Sequence, residues 1–374
     1  MMRRVEDLMK LIEIPSVTGE EGRLAHHLRD RLAATGRPVV LDAMSLLVPP
    51  PDDSRPLVVL SGHLDTVPPR GNEIPRLDGG EVWGRGAADM KGGLAVIASL
   101  LDDPRTGAGW ARVGAILYTG EEGPMEQNDL GRLLDGAASW ATSAALAILL
   151  EPTDVHIEVG CVGLVNAEVV FRGEACHSAR PWLGRNAVEM ALPWLESIAG
   201  FRPRDHEVAG FTFRETATVT TLHAGTARNM VPGELVANLN YRFPPGWDLE
   251  RGRSAARRLA EGAGEVRVID EAPSAEVPIE RPQFAAFVQG SGLPCRAKQA
   301  WTDVAQFSAR GVPALNFGPG DPQLAHRDDE RVRIEALDRC HATIAAFLAG
   351  DVPFSKGKGA RTEENRAGGR GEGS

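Results

Sequence analysis

At 374 residues the chain is longer than one hydrophobic core commonly serves, and two domains are expected. A hydrophobic fraction of 43% with 42 glycines and 26 prolines describes a globular, loop-rich protein. The net charge of −10, from 41 basic and 51 acidic residues, argues against a general affinity for nucleic acid or anionic membrane.

The first stretch, MMRRVEDLMKLIEIPS, carries charges at helical spacing and no apolar core, so it does not read as a secretory signal. Residues 5–13 and 19–35 read as amphipathic helices, the second with Thr18 as N-cap, Glu21 three residues on and Gly36 at its end. PLVVLSG then reads as a strand, DMKGGLAVIASLLDD as a helix, and RVGAILYTG and ALAILLEP as two more strands. That alternation implies a mostly parallel sheet covered by helices. The longest nearly uncharged stretch, Ala137 to Leu150, is too short to span a bilayer. The four cysteines, Cys161, Cys176, Cys295 and Cys340, show no metal-ligand spacing and suit a reducing compartment. A soluble cytoplasmic protein is expected.

From Gly163 the pattern changes. GLVNAEVVFRG, FTFRETATVTTLHAG and GELVANLNYRFPP alternate as antiparallel strands with one wet face do, with helical segments at 185–199 and 249–263 among them. After EVRVIDEAPSAEVP the α/β pattern resumes, with a helix near 281–290, VPALNFG as a strand and a helix at 330–349. The expected fold class is α/β: one mostly parallel-sheet domain, residues 1–163 and 273–354, interrupted by a smaller α+β domain at 164–272. The segment 355–374 is rich in glycine and charge and is expected to be disordered.

Several strand ends carry chemistry. In VVLSGHLDTVPP an apolar run breaks into His63 and Asp65, which are two residues apart and so share a face at the strand's carboxyl end. A metal-binding histidine with an acidic partner and a plain strand exit with solvated polar groups are both open on this stretch alone. GRGAADMKGG places Asp89 in a glycine-rich loop before a helix. LYTGEEGP places Glu121 and Glu122 just past a strand, LLEPTD ends a strand at Glu151, and LAHRDDE follows a glycine-rich loop with His326. Taken singly, each acidic group is an ordinary surface residue; five such placements on one sheet edge are a poor fit to chance. Two histidines with three or four carboxylates form a mixed N/O set that suits zinc, cobalt or manganese and exceeds one tetrahedral zinc. Two ions sharing a carboxylate would use the set and leave one carboxylate as general base, a division that the adjacent Glu121 and Glu122 fit. The chain has no GxxxxGK[ST], HExxH or GxSxG, and GRGAADMKGG lacks the GxGxxG spacing.

SGHLDTVP, GRGAADMKGG, TGEEG, EPT, HSARP, GTARNMVPGE and AHRDDE, in this order, resemble the co-catalytic zinc amidohydrolase and peptidase family. That family includes aminoacylases, glutamate carboxypeptidase, acetylornithine deacetylase and succinyl-diaminopimelate desuccinylase. The resemblance covers residues 5–350. It implies that His63 and Glu151 bind one metal, Glu122 and His326 the other, and that Asp89 bridges them. It makes Asp65 the residue that orients His63, and Glu121 the general base. It makes the α+β insert a lid and dimerisation domain, in which His177 of HSARP reaches an active site and Asn229 and Arg242 contact substrate carboxylates. Without the resemblance His177 is a loop histidine and Arg242 a surface charge. Residues 301–330 are most similar to the desuccinylase branch, which implies a homodimer with two zinc ions acting on a small, anionic, acylated amino acid. The rivals are deacylation of acetylornithine or of another acyl amino acid or dipeptide, and, in a different class, a catalytically silent metal-holding dimer.

Overall fold

The computed structural model describes residues 2–351, and the expectation for 355–374 lies outside the described residues. The chain divides into two compact units. The larger unit runs to Gly160 and adds Val277–Ala297 and the chain from Gln306; the smaller comprises Cys161–Glu276 and Lys298–Ala305.

The larger unit is built on an eight-stranded sheet. Its centre is the strand Leu57–His63, buried along its whole length, with Arg112–Tyr118 and Leu146–Leu149 parallel to it on either side. Ala314–Asn316 continues the parallel run beyond Leu146–Leu149. Antiparallel pairs occur outside this centre, at Ser45–Val48 against Arg112–Tyr118 and at Ile157–Val159 against Ala314–Asn316. Strands buried on both faces need apolar residues throughout, which is why VVL, AIL and LAIL do not alternate. The helix Gly92–Asp102 is buried nearly all round. Its start lies so close to the sheet that a Cβ at Gly93 would stand 2.4 Å from the Leu150 carbonyl oxygen. Only glycine permits that approach, and it sets the loop before the helix beside the end of Leu146–Leu149.

The smaller unit is a five-stranded antiparallel sheet in the order Arg204–Val208, Phe211–Ala224, Glu234–Phe243, Gly163–Arg172, Glu265–Ala272. Alternation decides its faces. Ala167, Val169, Leu235, Ala237 and Leu239 form a core with the helix Ala187–Ala199, and Val165, Tyr241 and Phe243 pack with Ala255 and Ala256 of Leu249–Leu259. The opposite face carries Asn166, Asn238, Asn240 and Arg242, linked by asparagine hydrogen bonds.

Several helix boundaries differ from the sequence reading. The first helix is Met2–Ile12, and the second is Gly22–Ala33 with no side-chain cap. Thr18 does not cap it: its hydroxyl donates instead to Asp65 Oδ2 at 2.9 Å. The last helix starts at Ile334 because Arg331–Arg333 pairs as a short strand with Glu81–Trp83. No helix among the described residues is long and apolar enough to cross a membrane.

Candidate metal centre

Three neighbouring parallel strands end at one edge of the large sheet, where open α/β sheets collect ligands. His63 is the last residue of the central strand, in register with Tyr118. The turn after Tyr118 therefore carries Glu121 and Glu122 past His63 on one side, and Glu151, just beyond Leu146–Leu149, arrives on the other. Asp89 comes from the loop before Gly92–Asp102, and His326 from the loop after Ala314–Asn316, with a left-handed backbone (φ 64°). A positive φ at a residue with a side chain is uncommon and concentrates at functional sites.

The structure brings six of these side chains together. Ligand atoms of His63, Asp89 and Glu151 lie within 4.8 Å of one another, as do those of Asp89, Glu122 and His326, and those of His63, Glu121 and Glu122. Asp89 belongs to two of these sets. Its Oδ1 is 3.1 Å from Nε2 of His63, and its Oδ2 is 3.5 Å from Nε2 of His326. Nε2 of His326 also lies 2.9 Å from Glu122 Oε1. Glu121, in the third set, has its Oε2 4.0 Å from Nε2 of His63.

Asp65 ties His63 to the Glu121–Glu122 turn. The backbone carbonyl of Asp65 is 2.9 Å from Nδ1 of His63. A carbonyl only accepts, so Nδ1 carries the hydrogen and Nε2 faces Asp89. The Asp65 carboxylate, 3.6 Å from the ring at Oδ1, accepts the N–H of Glu121 at 3.1 Å and of Glu122 at 2.9 Å, and the Thr18 hydroxyl. The orienting contact that the sequence reading gave to the carboxylate is thus made at closer range by the carbonyl, while the carboxylate holds the turn. Thr18 was missed because its spacing to Glu21 imitates a helix cap.

Charge in the cluster is strongly polarised. Burial alone pushes the His63 imidazole down, but the carboxylates of Asp65 and Asp89 outweigh it and hold it well above its ordinary value. His326 is pushed up to about 10 by Asp89 and Glu122. Burial opposes ionisation of Asp89, yet His326 and His63 hold it far below the usual carboxylate range. Two imidazole nitrogens among four carboxylates, with one carboxylate turning an oxygen to each imidazole, fit two divalent cations of the zinc, cobalt or manganese kind.

A second buried carboxylate, absent from the sequence reading, underpins Asp89. Glu330 accepts the N–H groups of Gly86 (3.0 Å), Ala88 (3.0 Å) and Asp89 (3.0 Å), and pairs with Arg85 at 2.9 Å.

The smaller unit holds the other three residues of interest. His177 and Met230 are opposite partners in a two-stranded ladder, and the Asn229 carbonyl accepts the Ser178 N–H, so HSARP and RNMVPG lie side by side. Both His177 and Asn229 are exposed, and His177 Nδ1 accepts the Ala179 N–H at 3.1 Å. Arg242, half-buried on Glu234–Phe243 opposite Thr216, donates through Nε to Asn240 at 3.0 Å.

The chain is similar to the succinyl-diaminopimelate desuccinylase of Corynebacterium glutamicum, 34% identical over 349 residues, 91% of this chain and 94% of that protein. It is similar also to one from Methylobacterium sp., 30% identical over 382 residues, with 92% and 95% covered. Among solved structures, the M20 family metallo-carboxypeptidase Sso-CP2 of Sulfolobus solfataricus shares the fold with a TM-score of 0.75, at 16% identity over 93% of this chain and 99% of that one. The YXEP protein of Bacillus subtilis, described as a dinuclear metal binding peptidase, shares it with a TM-score of 0.66, at 15% identity over 94% and 98%. With a family profile described as Peptidase family M20/M25/M40 matching residues 59–350 and a donor cluster built from those same residues, the chain is a metal-dependent amide hydrolase and belongs to that family.

Proposed function

We propose that the chain hydrolyses the succinyl amide of N-succinyl-LL-2,6-diaminopimelate, giving succinate and LL-2,6-diaminopimelate. The observation that carries the chemistry is the pair of contacts made from one turn: Glu122 faces His326 at 2.9 Å, while Glu121 lies 4.0 Å from His63. The substrate rests on the two relatives named above, both called succinyl-diaminopimelate desuccinylases.

In this reading His63 and Glu151 would hold one divalent ion, Glu122 and His326 would hold the other, and Asp89 would serve both. Zinc is the first choice, with cobalt or manganese as substitutes. Such ions, when bound, polarise an amide carbonyl and make a water acidic enough to lose a proton near neutral pH. Glu121 would take a proton from the water that adds to the succinyl carbonyl carbon, and would deliver it to the amine nitrogen as the C–N bond breaks. Asp65 positions both His63 and the turn that carries Glu121. His177 donates to the oxygen on which negative charge develops. Arg242 and Asn229 hold the substrate's carboxylates, Arg242 by the charge-assisted pairing its guanidinium favours.

The protein acts as a cytoplasmic homodimer through the smaller unit. Support comes from large apolar side chains left exposed there, Trp182 (75%), Leu183 (60%), Leu192 and Leu222. The oligomeric state in solution tests that part.

A substrate comparison tests the reaction. The metal-loaded protein is expected to turn over N-succinyl-diaminopimelate far faster than N-acetylornithine. Preference for N-acetylornithine would keep the metal chemistry and overturn the substrate.

A further inference from the structure

Glu330 is buried, with 1% of its side chain exposed, and so is its partner Arg85 at 5%. It takes no part in the chemistry described above. A buried carboxylate that close to other carboxylates is costly unless something in the fold requires it. Here it receives four donors: Arg85 and Gly86 on Oε2, and Ala88 and Asp89 on Oε1. Three of the four are backbone groups of the loop that delivers Asp89. The Glu330 carbonyl takes a further N–H, that of Gly84.

Chain position gives this clamp its meaning. Glu330 lies four residues after His326 in the same loop, and His326 itself has a left-handed backbone. Arg85 also donates to the Arg327 carbonyl at 3.2 Å. The loop that carries His326 is therefore fastened to the loop that carries Asp89, residue against residue, with Glu330 as the joint. Asp89 must turn one oxygen toward His63 and the other toward His326, and a carboxylate can do so only if its backbone is fixed relative to both.

We infer that Glu330 is a positioning residue that sets the spacing between Asp89 and His326, so that the ion held by Glu122 and His326 depends on it more than the ion held by His63 and Glu151. The inference rests on the two-ion reading above.

The test is calorimetric titration of the metal-stripped protein with zinc. Wild type is expected to bind two equivalents. In Glu330→Gln one equivalent is expected to bind as in wild type and the other to weaken by roughly 10- to 100-fold, the usual effect of losing a partner that holds a ligand in place. Turnover at high zinc is expected to recover toward the wild-type value with KM unchanged, which a merely structural defect would not do. Because loss of one member of a buried ion pair can unfold a protein, Glu330→Asp is the second variant. It keeps the charge at a shorter reach, and its weaker equivalent is expected to fall between those of wild type and Glu330→Gln. Two equivalents bound by both variants as tightly as by wild type would overturn the inference. Equal weakening of both equivalents, or failure of both variants to fold, would overturn it as well. Failure of wild type itself to bind two equivalents would instead overturn the two-ion reading.

Discussion

The carboxylate of Asp65 accepts the backbone N–H of Glu122 at 2.9 Å, while the carbonyl of the same residue takes Nδ1 of His63. One residue thus fixes a ligand candidate from each of two neighbouring strands. Burial works against ionisation of Asp65, yet His63 and the N–H donors hold it below the usual carboxylate range. Asp65→Asn keeps the carbonyl contact but turns an amide NH2 toward backbone donors. Turnover is expected to drop roughly 10- to 100-fold, as when the support of a metal ligand is lost. Steady-state kinetics at saturating zinc checks this, and wild-type turnover would remove Asp65 from the account.

Glu121 has a sharper expectation. Glu121→Gln keeps size and polarity but neither accepts a proton from water nor returns one to the amine. The kcat is expected to fall by roughly 100- to 10,000-fold, the range for loss of a general acid–base group. Zinc content by elemental analysis is expected to stay at two equivalents. A variant with near-normal kcat would mean that another group is the base.

Thr18 separates two readings of one short stretch. If its hydroxyl served the helix Gly22–Ala33, Thr18→Val would lower helix stability and leave turnover alone. Its donation to Asp65 predicts the reverse emphasis. The lost hydrogen bond to a charged group is worth about 1.5–3 kcal/mol, and part of it is expected to appear as reduced kcat. Kinetics and thermal unfolding of the same variant distinguish the two.

His341 gives a pH effect remote from the cluster. Burial in the helix Ile334–Ala349, beside Arg4, pushes its imidazole down to about 4 from an ordinary 6.5. The fold therefore favours the neutral ring, and the unfolded chain takes up a proton first as pH falls. The stability this contributes is fully present above pH 6.5 and is lost as the pH drops through about 4. Denaturant midpoints measured across that window are expected to fall for wild type and to fall less for His341→Gln. Parallel curves would contradict the assignment.

Much of the fold was legible because burial leaves a simple trace. Strands covered on both faces need unbroken apolar runs, so VVL and LAIL announce a parallel sheet, and the strands of the smaller unit alternate because one face is wet. The strand-end positions of His63, Glu121, Glu122 and Glu151 follow from those runs. Thr18 and Glu330 were not legible in the same way. Thr18 fits a capping pattern three residues from Glu21, and only the tertiary contact with Asp65 redirects it. Glu330 closes the AHRDDE motif and begins the helix expected at 330–349, and neither reading gives its side chain a role. Its burial arises because the N–H groups of a distant loop converge on it, and no local pattern encodes that convergence. The joining of Lys298–Ala305 to the smaller unit is equally non-local.

The most direct test of the central claim is hydrolysis of N-succinyl-diaminopimelate by the metal-stripped protein, measured before and after addition of zinc. The account predicts negligible turnover without metal and recovery that saturates at two equivalents of zinc. Turnover that is unaffected by stripping, or absent at every zinc concentration, would contradict it.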